Sequence, residues 1–324
     1  MNLHNYFYPP FPLPPVAALK SSPFFQMLIF LILLIWYILK RGENMSHKIL
    51  KKAKLATGIY DYFIAHPTLP VFSKPGQFLI IRIDERGERI PLTIAGVSDG
   101  AVRVIVKCVG KSTYKLATLN EGDEVLEVVG PLGNPSEIEF YGEICLIGGG
   151  VGAAPLLPIM KALKEAGNRI TAIIGASTSE QLILLEEFKR TAHELIITTD
   201  DGSLGKKGLV THRLEELLSK GNNFDRIWAI GPTIMMKFVS AIASRAEIPC
   251  WVSLNPIMVD GTGMCGACRV EVNGSMKFAC VDGPEFDGRF VNWNELIKRQ
   301  HQYQEQERIA LDLFKKEVGD LSWL

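Results

Sequence analysis

Between residues 143 and 254, short apolar runs alternate with segments of helical period, and this alternation leaves few folds open. Runs 143–147, 169–174, 194–198, 226–230 and 250–254 read as strands, and 154–165, 180–191, 210–219 and 234–246 as helices. A strand that returns through a helix pairs in parallel with the next, so the expected architecture is an open parallel sheet covered by helices. Ligands of such sheets lie beyond the carboxyl ends of the strands. The loops 148–152, 175–178, 199–203 and 231–232 fall at that edge and are expected to border one crevice. Gly148, Gly149, Gly150 and Gly152 follow the first strand at once and open the first helix, which carries Pro155. Strand, glycine loop and helix N-terminus form a phosphate cradle, because glycine lets backbone N–H groups close on an anion. The second strand ends in Gly175-Ala176-Ser177-Thr178, without the ribose-reading acid of the common dehydrogenase fingerprint, so a different dinucleotide fold is expected. Asp200 and Asp201 have two readings, as acceptors for ribose hydroxyls or as turn and cap residues. Gly231 and Pro232 close the fourth strand.

Residues 48–133 have a different rhythm. Short strands at 59–65, 78–84, 90–95, 102–109 and 124–129 are divided by turn pairs such as Pro75-Gly76 and Asp99-Gly100. That pattern predicts a small antiparallel barrel. One short helix, 112–119, is entered through Gly110, Lys111, Ser112 and Thr113, and its free N–H groups suit a pyrophosphate. The strand bearing Arg89, Pro91, Leu92 and Thr93 could offer a guanidinium to phosphate and a hydroxyl to a ring nitrogen; it could equally be an edge strand with a surface arginine.

The third informative stretch is SLNPIMVDGTGMCGAC, residues 253–268. Asp260, Cys265 and Cys268 are separated by four and then two residues, and Cys280 follows after a short excursion. With an aspartate in the first position, this is the spacing that wraps a [2Fe–2S] cluster. Gly261, Gly263 and Gly266 let the backbone fold tightly round a small inorganic core. A carboxylate keeps the charge of a thiolate but is a harder donor. A zinc ion also accepts three cysteines and one aspartate. Asn273-Gly274 between 269–272 and 276–279 predicts a hairpin that brings Cys280 back to the loop. Cys108, Cys145 and Cys250 lie in apolar runs and are expected in the core. Unpaired thiols and a metal cluster imply a reducing compartment.

With 324 residues the chain has room for two or three domains, and 35 basic residues balance 35 acidic ones, which argues against nucleic acid as a partner. Residues 1–44 stand apart: a proline-rich start precedes an apolar run at 24–39 that is slightly short for a bilayer span. Lys40, Arg41, Lys48, Lys51, Lys52 and Lys54 follow it, so a tether here would keep the body in the cytoplasm. A second reading starts the natural chain at Met45, without membrane contact. The end, 294–318, reads as one polar helix with a sparse apolar stripe of Ile297, Tyr303, Ile309 and Leu313, either packed on a partner or solvated. His4, His47, His66, His193, His212 and His301 fall outside every motif and are expected in surface or core roles.

Taken together, Arg89-x-Pro91-Leu92-Thr93, Gly130-Pro131-Leu132-Gly133, the GGGVGAAPL run from Gly148, and Gly231-Pro232 resemble the ferredoxin-reductase superfamily. The appended cluster loop narrows the likeness to electron-transfer subunits of the dihydroorotate dehydrogenase type. Within these, SLNPIMVDGTGMCGAC is most similar to the small subunit of sulfide dehydrogenase and NADH-dependent ferredoxin:NADP oxidoreductase, which also has an aspartate among its cluster ligands. The resemblance implies an antiparallel flavin-binding barrel (45–137), a parallel-sheet nicotinamide-binding domain (138–252), a small [2Fe–2S] loop module (253–291) and a C-terminal helix (292–324). It implies FAD at Arg89, Pro91, Leu92, Thr93, Val106, Lys107, Gly110, Ser112 and Thr113. NAD(H) or NADP(H) would lie at Gly148, Gly149, Gly150, Gly152, Pro155, Asp200, Asp201, Gly231 and Pro232. Asp260, Cys265, Cys268 and Cys280 would hold the cluster. The implied activity is an NAD(P)H-linked oxidoreductase passing electrons to or from a larger, glutamate-synthase-like flavin and iron–sulfur subunit, with ferredoxin as a further partner. The alternatives are a dihydroorotate-oxidising partner and, from another class, a zinc-stabilised interaction module without redox function. No acid–base or nucleophilic residue is required.

Overall fold

The computed structural model describes residues 47–319. The apolar run 24–39 lies outside the described residues. Among those described, no helix is long and apolar enough to cross a membrane.

The first sheet comprises β1 (His47–Ala56), β2 (Ile59–Ala65), β3 (Phe78–Arg82), β4 (Arg89–Ser98), β5 (Ala101–Lys107), β6 (Glu124–Val125) and β7 (Glu127–Leu132). They pair antiparallel in the order β6-β1-β2-β5-β4-β3-β7. The two outermost strands are joined through Leu126 alone, whose N–H bonds the Ile83 carbonyl, so the sheet curls into a nearly closed barrel. The expected strand 124–129 is therefore divided, because the chain turns a barrel corner there. Tyr62, Leu79, Ile81 and Val102 fill the interior. A short helix α1 (Leu69–Phe72) begins beside His66, whose Nδ1 accepts the Leu69 N–H at 3.0 Å while Nε2 faces the Val128 carbonyl at 3.3 Å. These bonds require the neutral Nε2–H ring. Burial, and then the neighbouring His47 ring stacked at 4.9 Å, push His66 down to about 4. Helix α2 (Lys111–Thr118) crosses between β5 and β6.

The second sheet is built from β8 (Glu143–Gly149), β9 (Arg169–Ala176), β10 (Glu194–Thr199), β11 (Lys206–Lys207), β12 (Arg226–Ile230) and β13 (Cys250–Ser253). These strands run parallel, and β16 (Glu285–Asp287) adds an antiparallel edge, in the order β11-β10-β9-β8-β12-β13-β16. Side chains of β8 alternate between two cores, Ile144 and Leu146 on one face and Cys145 and Ile147 on the other, as a strand covered on both sides requires. Cys145 and Cys250 are buried core thiols and Cys108 is half-buried; burial raises the pKa of each, Cys250 to about 12. Helices α3 (Ala153–Glu165), α5 (Val210–Ser219) and α6 (Thr233–Arg245) return the chain between strands. The helix expected over 180–191 is shorter: α4 spans Leu185–Thr191 after a single 3₁₀ turn, Ser179–Gln181. Ile183 and Leu184 are buried, and Leu184 adopts φ 61°, so packing against the core outweighs helical propensity there.

Beyond β13 come a loop, the hairpin β14 (Arg269–Val272) and β15 (Ser275–Phe278), and two helices, α7 (Trp293–Gln300) and α8 (Gln304–Val318). Asn273 and Gly274 take φ 51° and 71°, the positive pair that a two-residue hairpin of right-handed twist demands. The single helix expected over 294–318 is broken at 301–303 without glycine or proline. The last turn of α7 is instead committed to tertiary hydrogen bonds described below. Nor is α8 simply solvated. Phe314 is buried, and the Lys315 ammonium lies 5.1 Å from the centre of the Tyr114 ring on α2. Ile309 and Leu313 of the expected stripe are exposed.

Candidate cofactor sites

Strand order in the second sheet reverses at β8, with β9 on one side and β12 on the other. That is where a parallel sheet opens a crevice. A cleft of about 560 Å³ lies there, between the sheet and the barrel. This is within the size range of ligand and cofactor pockets. Pro91, Leu92 and Thr93 of β4, Val106 and Lys107 of β5, and Thr113 of α2 line it from the barrel. Gly149, Gly150, Gly152, Pro155, Gly231 and Pro232 line it from the sheet. A Cβ at Gly152 would collide with the Ile230 carbonyl, and one at Gly231 would come within 3.0 Å of the Gly149 carbonyl. The two glycine loops therefore touch backbone to backbone, and larger residues would wedge them apart. Gly148 lies just below the cleft, where a Cβ would press on Ile174 and Leu156.

Other expected residues stand outside the lining. Arg89 pairs with Glu127 at 3.1 Å, beside a second pair from Arg82 at the same distance. Ser112 donates to Glu88 at 2.6 Å. The Thr113 hydroxyl accepts the Val109 and Gly110 N–H groups at 2.9 and 3.1 Å, so it shapes the loop leading into α2. Asp200 and Asp201 are exposed at the end of β10. Asp201 accepts from the Ser203 hydroxyl and N–H, bonds that hold its carboxyl below the usual range. Asp201 thus holds the turn that follows β10.

Ser253, Leu254, Asn255, Pro256, Met258 and Pro284 also line the cleft. Sequence reasoning did not include them. The available signal was their position: 253–258 leaves the carboxyl end of β13, at the same edge as the glycine loops.

The cluster loop follows directly. Residues 254–268 contain no helix or strand, and Gly261, Gly263 and Gly266 have φ of 77°, 85° and 65°. The Cys268 and Cys280 sulfurs lie 3.2 Å apart as free thiols, both buried, with the Cys280 N–H directed at the Cys268 sulfur at 3.5 Å. Burial first, and then Cys268, raise Cys280 to about 12. Cys265 is exposed. The Asp260 carboxylate accepts the Thr262 N–H at 2.8 Å and the Cys265 N–H at 3.0 Å, which lower its pKa. The loop thus brings two sulfurs together and ties Asp260 to the backbone of Cys265. Among the described residues, no three His, Cys, Asp or Glu side chains converge as a finished metal site. Three thiols and a carboxylate, gathered by one loop and its hairpin, make a sulfur-rich donor set of the kind that holds an iron–sulfur cluster.

The loop packs on the barrel beside the cleft. A Cβ at Gly261 would meet Ile80 at 2.6 Å and Leu132 at 2.9 Å, on β3 and β7 of the barrel. Glu285 of β16 forms a further junction: its carboxylate accepts from the Ser136 hydroxyl at 2.8 Å and the Trp228 indole N–H at 3.2 Å. The cluster module, the barrel-to-sheet linker and β12 meet there. Burial raises the Glu285 pKa.

Comparison with known proteins agrees with this geometry. Residues 255–292 match the iron-sulfur cluster binding domain of dihydroorotate dehydrogenase B, and residues 146–241 match the oxidoreductase NAD-binding domain. The chain is 54% identical over 281 residues to a Thermotoga maritima protein described as a dihydroorotate dehydrogenase B (NAD(+)), electron transfer subunit homolog, across 86% of this chain and 99% of that one. It is 30% identical over 252 residues to the dihydroorotate dehydrogenase B electron transfer subunit of Clostridium perfringens, across 78% and 99% of the two chains. It also superimposes on a chain of an NADH-dependent reduced ferredoxin-NADP oxidoreductase studied for flavin-based electron bifurcation. The TM-score is 0.79 and the identity 55%, across 84% of this chain and 99% of that one. An Amycolatopsis cytochrome P450 reductase, 23% identical with a TM-score of 0.55 across 63% of this chain and 66% of its own, shares the fold.

Proposed function

The chain belongs to the family of electron-transfer subunits of the dihydroorotate dehydrogenase B type, and from that premise we propose that it carries electrons between NADH and a glutamate-synthase-like partner subunit in the cytoplasm. It is an oxidoreductase subunit with FAD, a [2Fe–2S] cluster and NAD(H) as cofactors, and it serves a larger catalytic subunit. The observation that carries the proposal is the seat of the cluster loop on the flavin cleft, with Gly261 against β3 and β7 and Met258 lining the cleft itself. When bound, FAD would supply two-electron exchange with the nicotinamide and one-electron exchange with the cluster.

The residues divide the work of holding and insulating. Pro91, Leu92 and Thr93, with Val106 and Lys107, form the barrel wall for the flavin. Gly110, Ser112 and Thr113 form the turn that opens α2, whose first N–H groups would face its pyrophosphate, and Arg89, steered by Glu127, supplies a cation at the barrel rim. Gly148, Gly149, Gly150, Gly152, Pro155, Gly231 and Pro232 admit the nicotinamide dinucleotide by keeping side chains out of its path. Asp200 and Asp201, exposed just after β10, would accept from its ribose hydroxyls. Cys265, Cys268, Cys280 and Asp260 ligate the cluster. NADH is favoured because no arginine stands in the loop directly after β9 to read a 2′-phosphate, although Lys206 and Lys207 offer cations farther along.

The glutamate-synthase-like partner is favoured over a dihydroorotate-oxidising one by Asp260 and by the likeness to the ferredoxin-NADP oxidoreductase. Ferredoxin is then the further donor or acceptor, and any membrane contact rests with segment 24–39. Anaerobic purification with the native partner, followed by partner sequencing and flavin and iron counts, tests this. Co-purification of a dihydroorotate-oxidising barrel, or protein without flavin, would refute it.

A further inference from the structure

The last turn of α7 lies beyond the 255–292 family match, yet it grips the cluster loop. The Arg299 guanidinium donates through Nη2 to the Ala267 carbonyl at 3.1 Å, across 32 positions of sequence. Ala267 sits between Cys265 and Cys268. Arg299 is half-buried, and no carboxylate pairs with it among the described residues. The adjacent Gln300 donates to the Asn255 carbonyl at 2.9 Å and side-chain oxygen at 3.0 Å, and accepts from the Thr233 hydroxyl at 2.9 Å. One helical turn thus holds the cluster loop, the cleft-lining Asn255 and the residue following Gly231-Pro232. A second arginine, Arg269, donates to the Gly266 carbonyl at 3.2 Å, but it is exposed and belongs to the loop's own strand.

We propose that Arg299 is a positioning residue for the cluster that also raises its reduction potential, through a guanidinium fixed on the backbone between two ligands. The inference rests on the cluster reading of Cys265 and Cys268. Reduction adds one negative charge to the cluster. A cation held close by, partly shielded from solvent and without a counter-charge, stabilises the reduced form more than the oxidised form. Arg269, in water, is screened and has less effect.

The test is a redox titration of the full chain, loaded with flavin and cluster under anaerobic conditions and followed by electron paramagnetic resonance, together with iron counts. Arg299→Gln is expected to move the midpoint to more negative potential, Arg299→Lys to restore part of the shift, and Arg269→Gln to move it less. An Arg299→Gln protein with full iron and an unmoved midpoint overturns the proposal. So does loss of iron in both Arg299 variants, which would leave Arg299 a role in loop folding alone. Loss of iron only in Arg299→Gln, with Arg299→Lys loaded but shifted, supports it. Wild-type protein without iron would instead remove the cluster reading beneath it.

Discussion

In the cleft, Gly149, Gly152 and Gly231 sit at the ends of strands and at a helix start, with their backbones fixed by the sheet; in the cluster loop, Gly261, Gly263 and Gly266 all take positive φ in a stretch without helix or strand. Glycine serves two purposes. In the cleft it removes a side chain so that backbones and a ligand can approach. In the loop it permits left-handed turns that aim N–H groups and sulfurs inward. The cleft is formed by elements anchored in the cores of the barrel and the sheet. The loop has two sulfurs in contact but leaves Cys265 exposed and Asp260 bonded to amides. Hence the first region takes its shape from the sheet and barrel cores, and the second from its glycine turns and the hairpin that returns Cys280.

Cys280→Ser should separate the two most sharply: near-complete loss of iron, with flavin and nicotinamide binding retained. Flavin lost in parallel with iron would show that the cleft depends on the loop. Gly152→Ala is the converse case. Its Cβ meets the Ile230 carbonyl, so we expect nicotinamide affinity to fall about tenfold or more, a cost of ~1.4 kcal/mol. Overpacking should also lower stability by about 1–3 kcal/mol, with iron content unchanged. Titration with NADH and thermal unfolding check both. The barrel wall has its own acid limit in His66. Its folded value of about 4 lies below the ordinary 6.5, so the unfolded chain binds more protons between these values. Stability is therefore full above the ordinary value and is lost as the pH falls toward about 4, by roughly 3 kcal/mol. His66→Gln should flatten that slope in denaturant titrations across the window. The smallest effect is expected for Asp260→Cys, which keeps iron but shifts the midpoint. An unchanged potential with unchanged iron coordination would remove Asp260 from the ligand set.

Much of this was legible in sequence because it is local. Asn273-Gly274 determines its hairpin through two backbone angles, and Gly148 to Gly152 announce a strand–turn–helix unit because all three follow within a dozen residues. Of the twelve expected residues on the cleft, those of the glycine loops were read from strand ends and turns, Pro91, Leu92 and Thr93 from within a strand, and Val106 and Lys107 from the family resemblance alone. Three expectations failed where long-range packing overrode local pattern. Ile183 and Leu184 left a helix to enter the core, the last barrel strand divided at a corner, and the terminal helix broke at 301–303. Arg89 and Ser112 were identified by residue type, but type alone did not reveal Glu127 and Glu88 as their partners.

The order of strands and helices, the glycine loop and the spacing of Asp260, Cys265, Cys268 and Cys280 were determined by sequence alone, since each depends on residues within a few positions of one another. Only the tertiary structure set Met258 and Asn255 in the cleft, Gly261 on the barrel wall, Glu285 between Ser136 and Trp228, and Arg299 on Ala267. These contacts join segments far apart in the chain, and closing such loops is favourable only when the cores between them have formed.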